Sequence, residues 1–115
     1  MTGFRSSKDV NVIDFSLCHG GVGTLTCHSL LDGWESKQFA FMHSDIMPAG
    51  VSIGVHEHQH NEEIYYLVSG KGILTYDGKE YEMNAGDISL CQIGHTHSFT
   101  ATEDSRLIVV GGAIL

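Results

Sequence analysis

Eight histidines in 115 residues are the feature of this sequence closest to chemistry. Five of them fall into two short clusters, His56-Glu57-His58-Gln59-His60 and His95-Thr96-His97. In a β-strand, side chains at i and i+2 point to the same face. His56 and His58 therefore project together, and His60 joins them if the strand runs that far. Imidazoles at this spacing can share one metal ion as neighbouring ligands. A polar turn from Gln59 to Glu62 follows, after which Glu63, Tyr65 and Leu67 alternate against Ile64, Tyr66 and Val68. One of Glu62 and Glu63 must point inward; strand parity does not choose, because the turn resets it.

The elements that hold these residues read as strands. From Lys37 onward the pattern is strand, turn, strand: KQFAFMHSDIM, VSIGVHEH, EIYYLVSG, ILTYDGKEYEM, DISLCQIG, HSFTATE and RLIVVGGAIL. Most are rich in β-branched and aromatic residues and are bounded by Gly, Asp or Ser. Asp77-Gly78 sits between two alternating arms and tolerates the positive φ angles of a type I′ hairpin turn. Fourteen glycines suit many tight turns. The expected fold class is all-β, an antiparallel sandwich or barrel in one domain. Residues 1–36 are expected to be an irregular N-terminal arm with edge strands, and residues 37–115 the barrel that carries the motifs. The Gly20-Gly21-Val22-Gly23 run lacks the Gly-Lys-Ser/Thr ending of a phosphate loop and reads as a loop between edge strands.

Composition excludes several partners. The formal net charge is −8, and the six Lys and Arg form no cluster. Nucleic acid and an anionic membrane surface are therefore not expected partners. No apolar run approaches the ~20 residues of a membrane span, and the first fifteen residues lack a signal-peptide core. Three cysteines without a CxxC spacing argue against a disulfide framework or a zinc knuckle. The expectation is a soluble cytoplasmic protein made of this whole chain. Cys91, in the apolar run ISLCQI, reads as a packing residue.

The histidine and glycine spacings resemble those of the cupin superfamily. Gly50-x5-His56-x-His58-x4-Glu63-x6-Gly70 is similar to the first cupin motif, spacing for spacing. Gly86-x5-Gln92-x-Gly94-x2-His97 is similar to the second, with Gln92 where the family usually has Pro and Ala101 where it often has Asn. Fifteen residues, Lys71 to Ala85, separate the two, as in small single-domain cupins. The resemblance implies a cupin-like antiparallel jelly-roll barrel. It also implies that Glu63 is the carboxylate ligand, that Glu62 faces solvent, and that His56, His58 and His97 supply the imidazoles. One divalent transition metal ion, among Mn, Fe, Co, Ni, Cu and Zn, would sit inside the barrel near one end. Four protein ligands on a six-coordinate ion leave two positions open.

Parity names the expected neighbours. Ser52 and Gly54 would share the face of His56 and His58 and leave room for a ligand, with Ile53 and Val55 outward. Phe99 and Ala101 would share the face of His97. Phe39, Phe41 and His43 share one face of an earlier strand, and Ala40, Met42 and Ser44 the other; which faces inward stays open. Tyr65, His43 and His60 are candidate catalytic groups by position. His95 is expected at the pocket mouth, and His19 and His28 carry no usable signal. The function expected is a metal-dependent enzyme acting on a small oxygen-rich molecule, such as a sugar, sugar acid or keto acid. Isomerase, lyase, decarboxylase and dioxygenase chemistry all remain open. The alternatives are a non-catalytic small-molecule-binding module and an ion that only braces the barrel. The family resemblance also implies a homodimer.

Overall fold

The computed structural model describes residues 3–32 and 34–114. The described residues form ten strands: β1 (Asn11–Ser16), β2 (Thr24–Ser29), β3 (Phe39–Met47), β4 (Ser52–Glu57), β5 (Glu63–Ser69), β6 (Lys71–Tyr76), β7 (Lys79–Asn84), β8 (Ile88–Cys91), β9 (Thr96–Ala101) and β10 (Ser105–Gly112). Among the described residues the helical content is two single turns of 3-10 helix, at Ser7–Asp9 and Cys18–Gly20. The strands form two antiparallel sheets, ordered β1-β2-β3-β10-β5-β8 and β4-β9-β6-β7. Their inner faces enclose one core, whose best-buried members include Met47, Tyr65, Leu67, Phe99 and Leu107. This is the jelly-roll barrel expected from the sequence.

The alternation read along the chain explains most of the packing. On β5, Glu63, Tyr65 and Leu67 are buried while Ile64, Tyr66 and Val68 turn away. On β3, Asp45 and Met47 are buried and Phe41 packs on the core, so the strand face carrying Phe41 and His43 points inward. On β9, His97, Phe99 and Ala101 are each at most 1% exposed. The Asp77-Gly78 turn joins β6 and β7 with φ of 50° and 79°, the two positive values a type I′ turn requires.

One expectation fails at β4. Ile53 pairs with Phe99 and His56 pairs with His97, so Gly54 and Val55 together oppose the single residue Ser98. This β-bulge resets the parity. Ile53 is therefore buried in the core, at 4% exposure, rather than outward, while Val55 is exposed. The small residues also leave room for something other than a ligand. The loop between β1 and β2 lies against this strand: Val22 N–H donates to Ser52 Oγ (2.8 Å), and a methyl on Gly54 would run into the His19 carbonyl.

Candidate metal centre

The cross-strand pair His56–His97 brings the two histidine motifs together on adjacent strands. His58 follows β4, where its N–H donates to the His95 carbonyl (3.2 Å) and its own carbonyl accepts from Gly94 N–H (2.7 Å). Glu63 opens β5 on the facing sheet. The three Nε2 atoms and Glu63 Oε1 converge. His97 Nε2 stands 3.0 Å from the Nε2 of both His56 and His58 and 2.9 Å from Oε1. His58 and His56 lie 3.3 and 3.7 Å from the same oxygen.

Their outer nitrogens decide what this convergence means. His56 Nδ1 donates to the Gly54 carbonyl at 2.8 Å, and His58 Nδ1 donates to Asn61 Oδ1 at 3.2 Å. Those bonds place the ring proton outward and leave Nε2 as a bare acceptor, the tautomer that ligates metal. Bare nitrogens and a carboxylate oxygen then face one another in a buried site, where a shared cation, or protons in its place, must satisfy them. Two donors bound at right angles to one ion, each about 2.1 Å from it, stand about 3.0 Å apart. The donor set fits a divalent ion with positions left for a ligand.

The electrostatics agree. Where protons rather than an ion fill the site, burial pushes the Glu63 carboxyl up, but hydrogen bonds from protonated His56 and His97 and the charge on neighbouring imidazoles outweigh it and bring it down to about 2. Burial lowers His56, yet its bonds to Glu63 and the Gly54 carbonyl leave it raised. Burial wins at His97, which is lowered. The anion Glu63 is thus held charged for a cation.

Two aromatic contacts clamp the cluster. The Tyr65 ring stacks on His97 with centroids 4.2 Å apart and 13° between planes. The His19 ring stacks on His56 at 3.8 Å and 11°. His19 has φ of 50° and Leu17 φ of 54°, left-handed values that cost non-glycine residues energy. Sequence reasoning missed His19, since a loop far away in the chain delivers it. Its Gly20-Gly21-Val22-Gly23 surroundings marked only a loop, though Gly21 and Gly54 are the glycines that let the two backbones touch.

The remaining candidates separate. Tyr65 is 1% exposed, and burial followed by the Glu63 charge holds its hydroxyl well above the usual phenol range. His43 lines a cavity of about 360 Å³ together with Cys18, His19, Cys27, Asp45 and Glu63. His60 is exposed on the turn after β4 and lies outside the cluster. His95 also points to the surface, where it bonds Asp77. A larger hollow of about 520 Å³ lies between β7 and β8 and carries none of the four donors.

Two antiparallel sheets closed around three imidazoles and a carboxylate define a barrel of the cupin type with a possible metal site. The chain belongs to the cupin family: the family model described as "Cupin domain" matches residues 42–111. It is 30% identical over 111 residues to the "Oxalate-binding protein" of Thermotoga maritima, covering 95% of this chain and 91% of that one. Its fold is similar to the crystal structure of a predicted oxalate decarboxylase from Thermotoga maritima, at 28% identity and a TM-score of 0.80 over 96% of both chains. A RmlC-like cupin from Shewanella frigidimarina has the same fold, with a TM-score of 0.79 over 97% of this chain and 91% of that one, at 20% identity.

Proposed function

We propose that this protein holds one divalent transition metal ion with His56, His58, Glu63 and His97 and acts as a metal-dependent enzyme on a small oxygen-rich acid. The observation that carries this reading is the convergence of four lone-pair donors on one point, with one of them, Glu63, also lining a cavity. The ion would supply Lewis acidity toward a carboxylate, carbonyl or enediol oxygen. The relatives' names narrow the sugar acids and keto acids expected from sequence to carboxylates as small as oxalate.

The chain's own groups then have distinct tasks. Tyr65 orients His97 by stacking and keeps its proton beside Glu63. The loop carrying His19 closes one side of the site and excludes water from His56. Where the reaction moves a proton, His43 is the candidate of the three that faces the cavity; His60 would have to swing in from the surface. A second reading, a non-catalytic binding module, is favoured by the relative called an oxalate-binding protein.

We also propose a homodimer in a reducing, cytoplasmic setting. All three cysteines are free. Ile46, Tyr66, Val68, Ile88 and Leu90 leave an apolar outer face on the six-stranded sheet that a second copy would cover. Among the described residues no helix is long and apolar enough to cross a membrane.

Metal content per chain, measured on untagged protein beside a His56→Ala, His97→Ala double variant, tests the site. About one equivalent more in the parent than in a folded variant supports it. No uptake of Mn, Fe, Ni or Zn by the parent removes it. Turnover of oxalate and of small hydroxy and keto acids by loaded protein then separates the two functions. Tight binding without product across that panel favours the binding module.

A further inference from the structure

We propose that Cys27, His43 and Asp45 form a second cation site, for a borderline divalent ion such as zinc, on the wall of the same cavity. The placement follows from strand register. Cys27 on β2 pairs directly with Asp45 on β3, and His43 precedes Asp45 by two residues on the same strand face. All three side chains line the cavity that also reaches Glu63. One ligand atom from each, sulfur, nitrogen and oxygen, lies within 4.8 Å of the other two.

Two polar atoms at this wall lack partners. Asp45 is 3% exposed, and its Oδ1 makes no hydrogen bond. His43 Nδ1 is also buried and unbonded, on a ring that is itself half-buried. The two stand 3.6 Å apart, too far for a hydrogen bond. Two ligands of one tetrahedral ion, each about 2.0 Å from it, stand about 3.3 Å apart. Among the described residues no Lys or Arg lines the cavity, so none of them supplies a fixed cation to the Asp45 charge there. A thiolate, an imidazole and a carboxylate leave one position of a tetrahedral zinc open.

Without an ion the Cys27 thiol stays protonated. Burial, then the Asp45 charge and hydrogen bond, push it up to about 12. Ion binding there releases the thiol proton to solvent and strengthens with pH. With the second ion bound, His43 is a ligand rather than a proton carrier. A ligand bound in the cavity would then meet cations on both walls.

Cobalt(II) tests the site, because only a sulfur ligand gives a thiolate-to-cobalt charge-transfer band in the near ultraviolet. The first four donors contain no sulfur, so the band reports the second site whatever becomes of the first. Metal-free parent is expected to take up about two cobalt equivalents and to show the band. Cys27→Ser is expected to lose the band and one equivalent, while Cys18→Ser keeps both. Removing an outer partner of a ligand already costs 10–100-fold in affinity. Asp45→Asn, which removes a ligand, is therefore expected to weaken the banded cobalt by at least about tenfold. Circular dichroism of each variant establishes that it is folded, and the parent's stoichiometry stands independently of any variant. Absence of the band in the parent overturns the inference and leaves a solvated His43–Asp45 pair. A band that follows Cys18, or that disappears in a folded His56→Ala, His97→Ala variant, overturns it equally.

Discussion

The two donor clusters of the cavity are built in opposite ways. At the first, His56 and His58 anchor their outer nitrogens on Gly54 and Asn61, and flanking rings hold His56 and His97, whose own Nδ1 is buried without a hydrogen-bond partner. At the second, His43 Nδ1 and Asp45 Oδ1 have no hydrogen-bond partner, and orientation rests on sheet register and the stacking of Phe41 on His43. The first is the more pre-organised for an ion, with the tautomers of His56 and His58 set in advance. The second has the donors without that scaffolding, so any ion there must do its own ordering and bind more weakly.

The largest expected effect breaks the first cluster outright. His97 touches each of the other three donors and is 1% exposed. His97→Ala should abolish stoichiometric metal at the first site, a loss beyond the 10–100-fold typical of removing an outer partner. Metal analysis on folded variant checks it. Retention of a full equivalent with unchanged affinity at that site would show that the convergence is not a ligand set.

A pH measurement on metal-free protein sharpens the electrostatic side. Glu63 sits at about 2 when folded and near 4.5 when exposed. A carboxyl depressed by folding stabilises the protein fully above pH 4.5, and that contribution disappears as pH falls toward 2. The contribution is on the order of 3 kcal/mol. Thermal melts of metal-free parent should therefore fall through this window. Glu63→Gln should start lower and show a flatter acid limb. Parallel curves for the two proteins would mean that the imidazoles do not hold Glu63 charged.

A third change tests the clamp from outside. A methyl on Gly54 meets the His19 carbonyl and the Gly21 amide, both backbone atoms that cannot swing aside. Gly54→Ala should cost about 1–3 kcal/mol and lower the melting temperature by several degrees. It should also weaken first-site metal by displacing His19 from His56. His19→Ala separates the two consequences: the same weakening of metal is expected with a smaller loss of stability.

The clusters differ in legibility for the same physical reason. Local spacing puts His56 and His58 on one strand face, but Glu63 and His97 joined them only through the resemblance to the cupin motifs, because the turn hides the parity of Glu63 and the β4–β9 register delivers His97. Cys27, His43 and Asp45 meet through a register between β2 and β3 that no short spacing announces. The inward face of β3 stayed open for a related reason: Phe41 and His43 against Met42 and Ser44 offers no clear polar side, and packing decided it. Ile53 shows the converse failure. Period-two reading put it outside, and one extra residue in β4 put it in the core.

The smallest effect lies one step further from the ion. The Asp77 carboxylate accepts from Thr96 N–H at 2.9 Å and bonds the His95 ring, so the β6–β7 turn pins the start of β9 one residue ahead of His97. The Thr96 amide, followed by His95, holds this exposed carboxyl below its usual range. Asp77 also occupies a left-handed conformation, with φ of 50°. Asn tolerates that conformation and keeps an acceptor, whereas Ala does neither. Asp77→Asn should therefore leave first-site affinity close to that of the parent, and Asp77→Ala should lower both affinity and melting temperature, by less than Gly54→Ala does. Calorimetric titration of the two variants with one metal checks the ordering. Equal behaviour of Asn and Ala would mean that the turn does not steer His97, and that sheet register alone positions β9, as it positions the second cluster.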